Sequence, residues 1–354
     1  MGRTGRRRRH PLLHPLAWVL LILGPAHLWA ASHLPSSFVD GPYHRVLYPR
    51  ILSLLGGTCD GLEWSLSGFL LLAGILFFLF RFLGLVFSAF RPGFLLRAAT
   101  ALFRLLLVLS LLVHPFFLFW GYHYRGTPLE RRLHLGGRPA GRSLERLAAA
   151  ALAGTASLRA KGLDERSGPL PPLAGEVERG LEELGMGRLS LPRRVKAPPL
   201  PGMLLLAGTL GITSPFTLEA HAEPGLHWAD LIYVKAHELS HLGGITGEGE
   251  ADFCAWYSLV TSKHPLYRYC GWLGLLLRMP PSTWEARIPR DAAGDVREIR
   301  ARRNRGRVEW ISRFCWTVYD RFLKSRGIRA GASDYARVVR LAARFSEGHP
   351  GILK

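Results

Sequence analysis

Three apolar stretches in the first third of the chain constrain its fold more than any other feature. They run from about Leu16 to Ala31, from about Ser65 to Phe90 and from about Ala98 to Trp120. A helix needs about 20 apolar residues to cross a bilayer core, and the second and third stretches satisfy this with only Arg81 and Arg104 inside them. The first is shorter and contains Pro25, so a cleaved secretory signal is its competing reading. The run Arg6-Arg7-Arg8-Arg9 suits a signal, but His27-Leu28-Trp29-Ala30-Ala31 lacks small residues at both cleavage positions. A retained helix fits better. The expected layout is a basic N-terminus (1–14), a membrane region (15–120) with transmembrane helices at about 16–31, 65–90 and 98–120, and a further domain over 121–354.

Arginine placement gives an expected orientation. Five Arg precede the first stretch, and Arg81, Arg91, Arg97 and Arg104 cluster around the turn between the second and third. The loop from His33 to Trp64 carries only Arg45 and Arg50, beside Asp40, Asp60 and Glu63. The positive-inside rule then places the N-terminus and the 91–97 turn in the cytoplasm, in a plasma or inner membrane. Three crossings put everything after Gly121 on the outer side. The chain's formal charge of +20 hints at nucleic acid, yet 40 of its 46 basic residues are Arg. That bias, together with topology, accounts for the excess, and no basic stripe with regular aromatics accompanies it. No nucleic-acid partner is expected; the lipid bilayer is. An apolar content of 48% excludes a disordered chain, and four scattered Cys exclude a small disulfide scaffold.

Beyond Gly121 the pattern suggests helices at 143–160 and 174–186, then a stiff connector from Lys196 to Pro201. Residues 203–223 read as two short strands or one bent strand, placed as an edge strand. From Trp228 the pattern is helical, with a Gly/Arg-rich break at 287–307. The Arg runs at 297–307 and 321–329 read as solvated helix faces. Cys254, Cys270 and Cys315 read as free thiols, with a Cys270–Cys315 disulfide as the alternative on the outer side.

The chemistry concentrates in 228–262. His237-Glu238-Leu239-Ser240-His241 places two imidazoles four residues apart on one helix face, one turn from each other, where they can share a zinc ion. Glu238 between them is placed to take a proton from water activated by the metal. The run from Gly243 to Gly247 must end this helix and turn the chain back, and Glu248-Gly249-Glu250-Ala251-Asp252 opens the next. Glu248 with Asp252 resembles the Glu-x-x-x-Asp arrangement of zinc peptidases with a glutamate ligand. That resemblance implies Glu248 as the third ligand, with Asp252 orienting a ligand His; Glu250 is the rival ligand. Two carboxylates favoured by a helix N-terminus, with no metal, remain the plain alternative.

Nearly the whole chain after the first helix resembles a bacterial membrane family, domain of unknown function 3810, grouped with zincin-like metallopeptidases. Trp120-Gly121-Tyr122-His123-Tyr124-Arg125 is similar to its Trp-Gly-x-Asn-Tyr-x-Arg signature. Gly211-Ile212 and Ser214-Pro215-Phe216-Thr217-Leu218-Glu219-Ala220 are similar to its Gly-Ile and Asn-Pro-Phe-Thr-Gly-Glu-Ala block. The zinc motif matches at His237–His241 and Glu248–Phe253, and a C-terminal block at Val318–Lys324 with Ser333 and Tyr335. His123 stands where Asn is usual, Leu218 where Gly is, and Asp252 where Asn is. The resemblance implies a multi-pass α-helical membrane region joined to a mainly α, zincin-like (α+β) domain.

The expected function is therefore an integral membrane zinc metallopeptidase that hydrolyses a peptide or protein substrate with a zinc-activated water, its site facing outward. His221, Tyr319 and Tyr335 are candidates to stabilise an oxyanion. The alternative is an inactive zinc-binding scaffold or sensor. Glu238 separates the two, since a purely structural site has no use for a carboxylate there.

Overall fold

The computed structural model describes residues 15–163, 170–326 and 337–353. Helix accounts for 70% of it. Three helices, α1 (Pro15–Ser32), α2 (Leu66–Phe87) and α3 (Phe94–Phe119), are long and apolar enough to cross a membrane. Helix α1 packs along α3 at a point where both chains need it. Pro25 has no N–H, so the Leu21 carbonyl loses its helical partner. Ser110 of α3 replaces that partner: its hydroxyl donates to the carbonyls of Leu20 and Leu21 (2.7 and 3.1 Å) and accepts from the Gly24 amide (3.0 Å). A Cβ on Gly24 would lie 2.2 Å from Ser110 Oγ, so only glycine permits this approach. By contrast, α2 buries no residue. Arg97 closes the turn between α2 and α3, donating to the carbonyls of Ser88, Arg91 and Pro92. Part of the basic cluster at this turn therefore caps a helix end.

The stretch between α1 and α2 is not an open loop. Residues 36–60 wind through alternating α and π turns, and Val39, Tyr43, Tyr48 and Leu52 enter the same core as the C-terminal helices. The wide π turns shift the apolar spacing away from 3.6, and that is why the stretch reads as a loop. It follows that no core boundary falls at residue 120.

Helices α4 (Gly141–Arg159), α5 (Leu173–Glu183), α6 (Trp228–Leu242), α7 (Glu248–Val260), α8 (Pro265–Leu276), α9 (Arg290–Arg303), α10 (Glu309–Ser325) and α11 (Arg337–Gly348) are the longer helices that follow among the described residues. The core packs α6, α7 and α8 against α4, α5 and α11, around Tyr233, Leu239, Phe253 and Trp256. Each such side chain contributes about 1.5–3 kcal/mol on burial. Helix α9 falls inside the expected break at 287–307. Its Arg-rich sequence hides a narrow apolar stripe, Ala292, Val296 and Ile299, at helical spacing. The free thiols Cys270 and Cys315 form no disulfide: Cys270 is buried in α8, whereas Cys315 lies on α10.

Three short strands, β1 (Val195–Lys196), β2 (Gly211–Thr213) and β3 (Ala220–Ala222), form a sheet in the order β1-β3-β2. β2 runs antiparallel to β3 and leaves its other edge free; β1 runs parallel to β3. The expected strand region thus holds a hairpin at its end, while its start, Met203–Leu206, is a helical turn. The hairpin's loop explains one family block. Glu219 accepts from the first amides of α2, Leu66 (3.0 Å) and Ser67 (2.7 Å). Lys196 Nζ reaches Glu219 (2.6 Å) and the carbonyls of Cys59 (2.7 Å) and Trp64 (2.9 Å), so all three ammonium protons are placed. Burial opposes ionisation of Glu219, but Lys196 and the α2 amides hold its carboxyl below the usual range.

Leu218 in that loop has φ +53° and is fully buried. The left-handed backbone is what favours glycine at this position in the family block. Replacing Leu218 with Ala or with Gly removes the same packing, but only Gly relieves the backbone. The Leu218→Gly protein should therefore unfold at higher denaturant than Leu218→Ala, by about 1 kcal/mol. Equal stabilities in a detergent-solubilised unfolding series would remove this explanation.

Candidate metal centre

Helix α6 carries His237, Glu238 and His241 into the core, and residues 236–242 are all buried. The amides of Gly243, Gly244 and Ile245 close its last turn, and two carbonyls gain partners from outside: Trp120 Nε1 donates to His241 O (3.0 Å) and Tyr48 to Leu242 O (2.5 Å). The Trp of the family signature therefore ties the C-terminal end of this helix to the end of α3. His123 in the same signature lies 2.9 Å from Trp120 O and 3.1 Å from His44, whose other ring nitrogen donates to Met186 O (2.9 Å). His123 thus retains a hydrogen-bonded place where Asn is usual.

The ring nitrogens of the two α6 histidines divide cleanly by partner. His237 Nδ1 donates to Asp252 (2.8 Å), and His241 Nδ1 donates to Ile245 O (2.7 Å). Both partners only accept, so in the neutral rings both Nε2 atoms present lone pairs. These face each other at 3.1 Å, and Glu248 Oε2 lies 3.1 Å from His237 and 3.5 Å from His241. Ligands at zinc's bond lengths sit about 3.3 Å apart in a tetrahedron, so the three atoms match that spacing. Among the described residues, this trio is the group of three or more His, Cys, Asp or Glu side chains whose atoms converge within 4.8 Å. Two ring nitrogens and a carboxylate aimed at one point can hold a cation between them, or share a proton in its place. The donor chemistry fits a divalent ion of the zinc class.

The surroundings hold these groups in place. Asp252 is clamped from behind by Arg278 (2.6 Å), whose guanidinium stacks 4.1 Å over Tyr233. The Tyr319 phenol, its pKa driven up by burial and by Glu248, donates to Glu248. Glu238 accepts from Thr213 Oγ1 (2.8 Å). A Cβ on Gly211 would meet the Glu238 carboxylate at 2.5 Å, so glycine there lets the strand lie against it. Neither Arg278 nor Thr213 stands out in the sequence. Arg278 is isolated beyond the motif, and Thr213 has only its place in the Gly-Ile block as a signal.

The other sequence candidates lie elsewhere or outside the described residues. Glu250 turns away from the trio and accepts from the Glu130 amide (3.1 Å) and Arg337 (3.2 Å). His221 sits on Ser65 (2.8 Å) at the head of α2, away from the cavity. Tyr335 falls in 327–336, outside the described residues. A cavity of about 470 Å³ opens on Glu238, His241 and Glu248, walled by β2, by Phe116 and Trp120 at the end of α3, and by Tyr319 and Phe322 of α10.

Electrostatics separates the carboxylates. Burial pushes Glu238 up from the ordinary carboxyl value. Glu248 and Asp252 are equally buried, but His241 and His237 hold Glu248 down, and Arg278 with His237 does the same for Asp252. For His237, burial favours the neutral ring, yet Asp252 and Glu248 override it and raise its pKa to about 10. Without an ion the pocket therefore carries a proton on His237 below that pH, and metal uptake must displace it. Apparent affinity for zinc should rise roughly tenfold per pH unit from pH 6 to 9, with proton release visible as a buffer-dependent heat in calorimetry. A pH-independent affinity would contradict this ligand set.

No curated protein and no solved structure matches the chain. A family profile does, over residues 43–343, from Tyr43 in the segment that follows α1 to the middle of α11. The chain belongs to the family described as protein of unknown function DUF3810.

Proposed function

We propose that this protein is an integral membrane zinc metallopeptidase of zincin-like build, with α1, α2 and α3 as its membrane spans and its site on the outer side. The observation that carries the reading is the convergence of His237, His241 and Glu248 beside Glu238, at the wall of a cavity flanked by the free edge of β2. Zinc bound by this trio supplies Lewis-acid polarisation of a carbonyl and acidifies water. Every other step falls to the chain's own groups. The β2 edge offers unpaired backbone groups on which an extended peptide can lie as an added strand. Glu238, with its raised pKa, takes a proton from the attacking water and returns it to the leaving amine. Thr213 aims that carboxylate, and Asp252, backed by Arg278, fixes the His237 ring. Tyr319 holds the second oxygen of Glu248, which keeps the first turned towards the histidines.

Two variants test the chemistry in the purified full-length protein. Glu238→Ala should keep bound zinc while hydrolysis of a mixed peptide library falls by about 10²–10⁴-fold. His237→Ala should lose both. Wild-type protein that lacks zinc would overturn the reading, and zinc without any hydrolysis would turn it into the scaffold alternative.

Sidedness has its own test. A reporter fused after Gly136 should signal from outside the cell, and a cytoplasmic signal there would reverse the orientation.

A further inference from the structure

Helix α10 has two chemically different faces. Cys315, Trp316, Tyr319 and Phe322 line the metal cavity. On the opposite side Trp310, Phe314 and Val318 are 70%, 66% and 53% exposed. Their four-residue spacing makes one continuous apolar stripe, a large bulky patch to leave in water. Helical geometry places Arg321 within the stripe and Arg313 along its flank. Residues 305–326 hold six basic side chains against two acidic ones.

Both ends of α10 abut the heads of apolar helices. At its C-terminal end the Phe322 ring lies 6.3 Å from Phe116, and the guanidinium of Arg326 lies 5.4 Å from the Phe117 ring, both in the last turn of α3. At its N-terminal end, Val308 donates to Leu206 O (3.3 Å). That connection runs back through 199–206 to Pro199, which touches Gly68 in the first turn of α2. A helix of 17 residues spans about 25 Å, so α10 bridges the same-side ends of α2 and α3. The exposed Phe216, 6.3 Å ring to ring from Phe116, continues the apolar surface.

We propose that α10 is an interfacial helix: Trp310, Phe314 and Val318 lie in the outer interfacial layer of the bilayer crossed by α1–α3, with Arg313 and Arg321 at anionic headgroups. Apolar area and basic flank together are what such surface helices use. The cavity mouth then lies at the lipid surface, and membrane contact and Tyr319 share one helix. Where the peptidase reading above holds, this selects a polypeptide held at the bilayer surface as substrate; the docking itself does not depend on that reading.

The test uses a nitroxide on Phe314→Cys in a Cys315→Ala background, since the other three cysteines are buried. The full chain is placed in nanodiscs of phosphatidylcholine with phosphatidylglycerol. Oxygen should collide with the label severalfold more than a water-soluble nickel reagent does, with the reverse at Arg297→Cys on the exposed side of α9. Water-like access at position 314 would overturn the proposal, as would shielding from both reagents, which would mark a protein partner. The oxygen preference should weaken in phosphatidylcholine alone, and an unchanged preference would overturn the headgroup assignment. Neither readout involves hydrolysis, so its failure and that of the peptidase reading are separable.

Discussion

Charge taken out of water is the constraint on which the rest of this structure depends. His237, Glu238, His241, Glu248 and Asp252 are all buried within α6 and the first turns of α7. A buried ion without a partner costs several kcal/mol, so each of these groups must be met by another element. Arg278 arrives from the turn after α8, Thr213 from β2, Tyr319 from α10, and Trp120 from the end of α3. The partners come from four directions in the chain. The site thereby fixes the relative positions of elements that share little apolar contact, α10 above all.

The sheet extends this coupling to the apolar helices. Glu219, just before β3, and His221 within it face the first turn of α2, while the partner strand β2 lies against Glu238. One side of a three-stranded sheet is thus bolted to a helix head, and the other side faces the cavity beside Glu238. Removing either member of the buried Lys196–Glu219 pair would strand the other, at about 3–5 kcal/mol. The α2 head and the Glu238 strand therefore move together or not at all.

How much of this the sequence discloses follows from the range of the interactions. The His237–His241 spacing is local and helical, so the two imidazoles are legible in the sequence, whereas Glu248 in preference to Glu250, and Asp252 behind His237, enter only through the resemblance to zinc peptidases with a glutamate ligand. The three apolar helices, local like the His pair, were legible too. Arg278, Tyr319 on Glu248, and Glu219 on α2 are contacts across tens to hundreds of residues, and no local period encodes them. Segment 36–60 was lost because π turns spoil a 3.6-residue pattern, and α9 because its apolar stripe is only one residue wide amid arginines. Leu218 is the converse case: a departure from the family block whose meaning appears only once its left-handed backbone is known.

The carboxylates of the site carry the last step of the argument. Glu248, Asp252 and Glu219 are buried, and each faces a cationic or protonatable partner that drives its pKa down. Glu238 is buried just as deeply, one turn from the same histidines, yet its pKa moves up. Its hydrogen-bond partner is a hydroxyl and the backbone laid against it is a glycine; His237 and His241 pull its pKa down, but burial outweighs them. A structural carboxylate in this fold is given a cation or a helix end, whereas Glu238 is given room to change its protonation. Environments that push neighbouring acids in opposite directions divide them into those that hold and those that exchange protons. By that division Glu248 is held ionised while Glu238 is left the easier to protonate, an asymmetry that supports the hydrolytic reading proposed above over the scaffold alternative.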